Sequence, residues 1–324
     1  MKTAFNIILK ISLGMILAAA GTIIVWFAPG DFNHDLAALV NKRNLLISKP
    51  PPRILFIGGS NLTTLNSADI ERTLNRSTPI SHSVVNLGLW GGLDIARYLE
   101  EIKPLLKPGD IVILCPEYAA LLDRHYFAYI KKNREAEKFF FLISPGTQLC
   151  LNLRTVNAFE TTKIIIQLNQ LKMKTYLHVL IDGALDHRFT GGFYRYPRDY
   201  NSFGDRVFPF KVIRPLNSSG VRFQDPVESN IVYLKHFHQF SRKNGIRALF
   251  AFPPFPAGDF RLNKKHIEAL YRVVHETLAL DILTAPEDTV YPERYFADTV
   301  YHLRPEGENL RTDTFIKRLR YYLR

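Results

Sequence analysis

The chain has few cysteines and lacks the spacings of several common binding sites. Only two cysteines, Cys115 and Cys150, occur among its 324 residues, so neither a disulfide framework nor a cysteine-based zinc site is expected. The two could pair in an oxidising compartment, but burial as small apolar side chains fits isolated cysteines better. No phosphate-loop or dinucleotide-binding spacing of glycines is present. No metal or other cofactor is therefore predicted.

The charge of the chain is unbalanced. There are 42 Lys and Arg against 30 Asp and Glu, which gives a formal net charge of +12. A basic surface attracts nucleic acid, anionic lipid or acidic polysaccharide. The sequence has no long Lys/Arg run and no aromatic RNA-binding motif, and its one modest basic cluster lies near the C-terminus, at Lys317, Arg318, Arg320 and Arg324. Nucleic acid is not expected as a partner. The excess of basic residues instead indicates a solvated basic face near a cell-envelope surface.

An uncharged apolar stretch lies close to the N-terminus, at residues 11–28. At about 1.5 Å per helical residue it can roughly cross the hydrocarbon core of a membrane, and Trp26 and Phe27 suit an interfacial aromatic belt. A signal peptide cleaved near residues 18–21 is the alternative, but the apolar run continues well past that zone. An uncleaved single-pass anchor over residues 1–30 of the cytoplasmic membrane is expected, with the rest of the chain periplasmic or extracellular.

Strand and helix patterns alternate beyond a connector at residues 31–52, which holds one short helix and ends in consecutive prolines. Apolar runs typical of buried parallel strands lie at residues 54–57, 84–87, 111–114, 248–252 and 281–283. Helical patterns lie at residues 68–75 with Ser67 as the cap, 94–102, 164–171, 231–240, 266–278 and 307–323. This alternation predicts an α/β domain over residues 53–324, in which a parallel sheet carries helices on both faces.

One region, residues 187–226, departs from this alternation and is rich in aromatic residues, arginine and turn formers. We interpret it as a long insertion over the mouth of the sheet, because long loops in compact domains often carry function. A structural cap without a ligand is the alternative. The candidate substrate-binding residues in this region are Arg195, Arg198, Tyr200, Asn201 and Asp205.

Ser60 directly follows the first predicted strand, in the segment Phe56-Ile-Gly-Gly-Ser60-Asn. A serine at this point lies at the carboxyl edge of the sheet, where open α/β sheets bind ligands. Two glycines before it allow a sharp turn and the close approach of a substrate. The Ser60 N–H then points to where an oxyanion would form. These features predict a nucleophile, and an ordinary helix-capping serine is the alternative.

Asp298 and His302 lie in a loop just before the last predicted helix. A histidine can take the proton of a serine hydroxyl, and a carboxylate can orient the imidazole that does so. A lone histidine is usually structural, but an aspartate close by in such a loop favours a Ser60–His302–Asp298 triad.

The chain resembles the SGNH/GDSL hydrolase superfamily over about residues 53–118 and 245–322. The segments that carry the resemblance are Phe56-Ile-Gly-Gly-Ser60-Asn, Val85-Asn86-Leu-Gly88-Leu-Trp-Gly91-Gly and Asp298 with His302. The resemblance implies the flavodoxin-like, three-layer SGNH fold, with Ser60 as the nucleophile and Asp298 and His302 completing the triad. It also implies Gly91 as an oxyanion donor, with Gly88 as the alternative.

Three features depart from the family pattern. Gly59 stands where the family has an aspartate, and one extra residue separates Asp298 from His302. Glu117 stands near the place of an asparagine that donates to the oxyanion, and an ionised glutamate cannot donate. Asn61 is the predicted replacement for that donor. Glu117 and its neighbour Tyr118 join the candidate substrate-binding residues.

The anchor and the sequence after Asp298 are similar to a membrane-anchored subset of the superfamily, which works with alginate O-acetylation and teichoic-acid D-alanylation machinery. The resemblance implies acyl transfer or ester hydrolysis on a cell-envelope or exported polysaccharide, through an acyl-Ser60 intermediate. It further implies a membrane-bound partner protein that supplies the acyl group. A non-catalytic glycan-binding or scaffolding protein with the same fold is the alternative.

Overall fold

The computed structural model describes residues 34–89, 95–123, 200–208, 210 and 220–323, and near the N-terminus residues 10, 12–16 and 20. Most of these belong to the larger of two compact units, Ala38–Glu135 with Tyr196–Arg324; the smaller unit is Met1–Ala37 with Ala136–Arg195. The predictions that lie outside the described residues concern the helix at 164–171 and the residues Gly91, Cys150, Arg195 and Arg198.

A sheet of five parallel strands lies at the centre of the larger unit, in the order β2-β1-β3-β4-β6. Its strands are β1 (Arg53–Gly58), β2 (Ser83–Asn86), β3 (Ile111–Cys115), β4 (Arg247–Ala251) and β6 (Asp281–Thr284). A separate parallel pair is formed by β5 (Phe255–Pro256) and β7 (Val290–Tyr291). Because β2 and β3 lie on opposite sides of β1, the strand order reverses at the carboxyl end of β1, where such sheets bind ligands.

Four of the five helices predicted with bounds in the described part lie within about three residues of those bounds. The helix predicted at residues 266–278 instead spans Ala257–Arg272 and continues as a π-helical turn, Val273–Thr277. Seven α-helices lie in the described part. They are α1 (His34–Ser48), α2 (Ser67–Asn75), α3 (Ile95–Ile102), α4 (Tyr118–Leu122), α5 (Glu228–Lys243), α6 (Ala257–Arg272) and α7 (Pro305–Tyr322). The predicted cap of α2 is wrong, because Asn66 rather than Ser67 caps this helix. The Asn66 side chain accepts a hydrogen bond from the Asp69 N–H at 3.1 Å.

Helices cover the sheet because its strands are apolar on both faces. Side chains along a strand alternate between the faces. Ile54 and Phe56 of β1 pack with Leu74 of α2 and with Phe315 and Leu319 of α7, and all five are completely buried. Helix α5 packs against β4 and also contacts α3 and α4. The predicted α/β fold with a parallel sheet is confirmed, and the arrangement is consistent with three layers.

The connector predicted at residues 31–52 contributes to this core through α1. Ala38, Lys42 and Leu46 are each at most 1% exposed. Within the described ranges, no helix is long and apolar enough to span a membrane. Most of the predicted anchor at residues 11–28 lies outside those ranges, and the anchor stays a prediction.

Candidate active site

Ser60, His302 and Asp298 form one hydrogen-bonded line at the carboxyl edge of the sheet. Ser60 Oγ lies 2.7 Å from His302 Nε2, and His302 Nδ1 lies 2.7 Å from Asp298 Oδ1. Both distances are those of normal hydrogen bonds. The structure therefore brings together the three residues predicted as a triad, in the order in which a Ser-His-Asp triad works.

The nucleophile turn, a 3₁₀ turn at Ser60–Leu62, places Ser60 directly after β1. Gly58 of β1 pairs with Cys115 of β3, and a Cβ at position 58 would lie 2.1 Å from the Cys115 carbonyl oxygen. No side chain fits in that space. Gly58 therefore allows the end of β1 to lie close to β3. The chain then turns so that Ser60 lies at the carboxyl edge of the sheet.

The loop before α7 closes on itself and brings Asp298 beside His302. Phe296 and Leu303 form an antiparallel bridge, and the Ala297 N–H donates to the His302 carbonyl at 2.8 Å. This closure accommodates the extra residue between the aspartate and the histidine. The unusual spacing is compatible with the triad geometry.

An aromatic ring and an arginine cover His302. The Phe210 ring stacks on the imidazole, with centroids 3.6 Å apart and planes 3° from parallel, and the Arg206 guanidinium lies 4.6 Å from the Phe210 centroid. Burial lowers the pKa of His302, the hydrogen bond and charge of Asp298 act against this, and the Arg206 charge adds to the lowering. A lowered pKa favours the neutral imidazole, which is the form that a general base needs.

Sequence reasoning did not single out Phe210 or Arg206. Both lie in the region 187–226, whose content of aromatic residues and arginine marked it as a candidate insertion at the mouth of the sheet. The stacking on His302 shows that this region contributes to the site. The periodicity of the sequence, which located the strands and helices, gives no signal in such a loop.

Glu117 contacts the nucleophile. Its Oε1 lies 3.0 Å from Ser60 Oγ, and the nearby backbone N–H groups of Ser60 and Asn61 also act on the pKa of its carboxyl group. Removal of the carboxyl from water raises the pKa of Glu117, and these neighbouring groups act against the rise.

The absence of a side chain at Gly59 makes space for the carboxyl group of Glu117. A Cβ at position 59 would lie 2.4 Å from Glu117 Oε1. No side chain of position 59 caps the nucleophile turn. The carboxyl of Glu117, supplied by the chain after β3, lies beside the turn and contacts Ser60 Oγ. The two departures from the family pattern, at positions 59 and 117, are therefore parts of one arrangement.

Two other predicted site residues are turned into the protein interior. The Asn61 amide donates to the Cys115 carbonyl at 3.2 Å, and Asn61 is only 1% exposed. Tyr118 is completely buried against the rings of Phe223, Phe252 and Phe255. The geometry corrects the predictions of an oxyanion donor at Asn61 and a substrate-binding ring at Tyr118.

Asn201 and Asp205 hold their own loop in place. Asp205 is 3% exposed and accepts hydrogen bonds from Ser67 Oγ at 2.6 Å and from Asn86 Nδ2 at 2.8 Å. Asn201 Oδ1 accepts from the N–H groups of Phe203 and Asp205. These polar groups hydrogen-bond within the protein, and both residues also line a cavity of the described part, so their substrate-binding role stays a prediction.

Arg311 of α7 supports the nucleophile turn from below. It is 1% exposed and donates to the Asn61 carbonyl and, at 3.3 Å, to Cys115 Sγ. Cys115 is a buried free cysteine, as expected for a small apolar side chain, and burial raises its pKa to about 11. Glu308 Oε1 lies 3.7 Å from Arg311. Sequence reasoning missed this role of Arg311, because nothing local marks an arginine as buried.

Lys42 of α1 holds the segment that leads from β2 toward Gly91. Its ammonium group donates to the Gly88 carbonyl and lies 4.8 Å from the centroid of the Tyr200 ring. Burial lowers the pKa of Lys42 to about 7, and the charge of Asp205 acts against this. The connector helix thus contacts, at Gly88, the second segment that carries the family resemblance.

A cavity of about 420 Å³ is lined by residues that follow triad members in the chain, and by none of the triad members themselves. Its lining includes Leu303 and Pro305, which follow His302 in the chain, and Thr64 and Asn66, which follow the nucleophile turn in the chain. Arg206, Asn309 and Glu308 also line it. Its walls therefore combine apolar faces with amide, hydroxyl and charged groups.

Comparison with protein-family models finds no match to the chain, and comparison with curated proteins finds none. Throughout the described ranges, no cluster of three or more His, Cys, Asp or Glu side chains is placed to hold a metal ion. The chemistry of the site is therefore argued from its own geometry.

Proposed function

We propose that the chain is a serine-dependent acyltransferase or esterase that acts on a cell-envelope or exported polysaccharide. The observation that carries the proposal is the line of hydrogen bonds from Ser60 Oγ through both ring nitrogens of His302 to Asp298, each 2.7 Å long. The lowered pKa of His302 supports it, because a neutral imidazole accepts the serine proton.

The acylation step follows from this geometry. Ser60 Oγ attacks the carbonyl carbon of an ester while its proton passes to His302 Nε2. Asp298 holds the Nδ1–H and stabilises the imidazolium ion that forms. The tetrahedral intermediate then loses its alkoxide, which takes the proton from Nε2, and the acyl group remains on Ser60.

Deacylation reverses the roles. A sugar hydroxyl or a water molecule gives its proton to His302 Nε2 and attacks the acyl carbon, and Ser60 Oγ leaves with that proton. The cavity that Leu303, Pro305 and Thr64 help to line supports a sugar acceptor, since its amide and hydroxyl groups suit sugar hydroxyls and its apolar walls suit the faces of a sugar ring. The resemblance to envelope acyltransferases supports the same class of acceptor.

We place this activity at the outer face of the cytoplasmic membrane. The apolar stretch at residues 11–28 supports a single-pass anchor, and the net charge of +12 suits an anionic surface. A membrane-bound partner protein would supply the acyl group. Fractionation of cells, with protease treatment of intact spheroplasts, tests this location: a soluble chain, or one protected from protease, contradicts it.

One observation favours the non-catalytic alternative, in which the fold serves as a glycan-binding module. The Glu117 carboxyl lies 3.0 Å from Ser60 Oγ, where an ionised carboxylate would oppose the negative charge of an oxyanion. Hydrolysis of p-nitrophenyl acetate by the full-length chain separates the two functions. We expect hydrolysis that Ser60→Ala abolishes and that Ser81→Ala, a change at an exposed loop serine, leaves intact. Equal rates in wild type and Ser60→Ala contradict the enzymatic function.

A further inference from the structure

The hydroxyl of Ser60 contacts two groups that can each accept its proton. Ser60 Oγ lies 2.7 Å from His302 Nε2 and 3.0 Å from Glu117 Oε1. A serine hydroxyl has one proton and can donate it to one acceptor at a time. The triad explains the first contact and leaves the second unexplained.

The number of protons available decides which group donates in the contact between Ser60 and Glu117. When His302 is a neutral base that donates Nδ1–H to Asp298, its Nε2 accepts the Ser60 proton. No proton then remains on Ser60 for Glu117. A hydrogen bond between Glu117 Oε1 and Ser60 Oγ therefore requires that Glu117 carry the proton and act as the donor.

We propose that Glu117 works in its protonated form, donating a hydrogen bond to Ser60 Oγ in the free protein and to the oxyanion of the tetrahedral adduct during acylation. This inference rests on the proposed acyl-Ser60 chemistry. The oxyanion is bonded to the same carbon as Ser60 Oγ, so a donor in contact with Oγ is within reach of it. Glu117 would then supply the donor that Asn61, with its amide turned to Cys115, does not.

An ionised Glu117 has the opposite effect. It competes with His302 for the Ser60 proton, and it places a negative charge beside the oxygen where negative charge develops. Ser60 should therefore lose reactivity as Glu117 ionises.

Removal from water favours the neutral form of Glu117, whereas the neighbouring polar groups of Ser60 and Asn61 favour the ionised form. On the nucleophile turn Glu117 faces the N–H groups of Ser60 and Asn61, and on β3 it faces the thiol of Cys115. From the loop before α7, His302 reaches it through Ser60, and from α7 the Arg311 guanidinium binds Cys115 and Asn61 instead. Across the described residues no lysine or arginine forms a salt bridge with Glu117, and removal from water raises its pKa.

The test is the rate at which a fluorophosphonate probe labels Ser60 in the full-length chain, from about pH 4 to about pH 9. A protonated Glu117 that works beside a neutral His302 must ionise at the higher pH of the two. In the wild type the rate should therefore rise as His302 loses its proton and fall at least tenfold as Glu117 loses its own, since the loss of one oxyanion donor costs about 10²–10³-fold in characterised enzymes. Glu117→Gln keeps an N–H donor at every pH, so it should lose the alkaline fall. Glu117→Ala should be slow throughout.

Several results would overturn the inference. They are a wild-type rate without an alkaline fall, the same fall in Glu117→Gln, or a Glu117→Gln rate below that of the wild type at every pH. If Glu117→Gln does not unfold cooperatively, the wild-type profile alone decides between these outcomes.

A second measurement keeps this inference separate from the proposed function. A folded wild type that the probe labels at no pH contradicts the acyl-Ser60 chemistry. An isotope-edited infrared spectrum of the full-length chain with labelled glutamate then decides the state of Glu117. A protonated carboxyl band that titrates above the ordinary glutamate pKa and is absent from Glu117→Ala supports the neutral form, and its absence overturns it.

Discussion

Ser60 Oγ lies 2.7 Å from His302 Nε2 although 242 positions separate the two residues in the chain. The turn after the first strand supplies one and the loop before the last helix supplies the other. Both segments reach the carboxyl edge of the same parallel sheet, and this shared edge is what makes the contact possible.

The first prediction concerns the carboxylate that orients His302. Asp298→Asn removes the acceptor that fixes the imidazole tautomer, so p-nitrophenyl acetate hydrolysis should fall by about 10²–10⁴-fold, near the loss seen in serine proteases with this triad. The exposed Asp313 of α7 offers a control, since Asp313→Asn should leave the rate unchanged. A loss of less than about threefold in Asp298→Asn would show that the carboxylate does not orient the base.

The second prediction concerns Gly59. The new Cβ of Gly59→Ala would lie 2.4 Å from Glu117 Oε1, so it should push the carboxyl away from Ser60 and slow labelling of Ser60 about tenfold. The thermal unfolding temperature should change little, because the displaced group is the end of a flexible side chain.

Two variants test that explanation. Combined with Glu117→Ala, the change at Gly59 should add nothing further, and additive losses would contradict the shared mechanism. In Gly58→Ala the Cβ meets the Cys115 carbonyl oxygen at 2.1 Å, and the backbone cannot yield as a side chain does. That variant should lower the free energy of unfolding by about 1–3 kcal/mol.

The third prediction concerns the arginine beneath the nucleophile turn. Arg311→Ala leaves the Asn61 carbonyl without its donor and the buried Glu308 without its cationic neighbour, so the free energy of unfolding should fall by about 3 kcal/mol or more. Arg318, on the same helix, pairs with Asp288 at the surface, and Arg318→Ala should cost about 0–1 kcal/mol. Urea denaturation measures both, and equal losses would contradict the supporting role of Arg311.

Much of the fold was predictable from the sequence. Short apolar runs located the five strands of the sheet, and the position of Ser60 after β1 placed it at the sheet edge. Asp298 and His302 were found because both lie in one short segment before a helix. In each case the signal is local, either a run of apolar residues or a motif of adjacent residues.

The contacts that depend on distant segments were not predictable. Glu117 meets Ser60 only because Gly58 pairs with Cys115 across two strands. Asp205 had the composition of a binding loop, yet the hydroxyl of Ser67 and the amide of Asn86 use its carboxylate. A polar residue in an irregular loop carries no local sign of whether its partner is a substrate or the protein itself.

The fourth prediction concerns the pH dependence of stability. Burial lowers the pKa of Lys42 from 10.5 to about 7, so between these values the unfolded chain holds a proton that the folded chain does not. The contribution of Lys42 to the free energy of unfolding should therefore increase as pH rises from about 7 toward 10.5. Below pH 7 the cost of burying its charge is fully present.

Substitution isolates this contribution. Lys42→Met should remove that part of the rise, and Lys265→Met, at an exposed position of α6, should keep it. The slope of unfolding free energy against pH, measured by urea denaturation, gives the answer. The same slope in Lys42→Met and the wild type would contradict the assignment.

The fifth prediction tests the central claim, that Ser60 is a nucleophile activated by His302. The full-length chain is treated with a fluorophosphonate probe, and the labelled residue is identified by mass spectrometry of its peptides, with Ser60→Ala, His302→Ala and Ser81→Ala as companions. We predict labelling on Ser60 in the wild type and in Ser81→Ala, and none in Ser60→Ala or His302→Ala. A folded wild type without labelled Ser60, or labelling of Ser60 that survives in His302→Ala, would contradict the account.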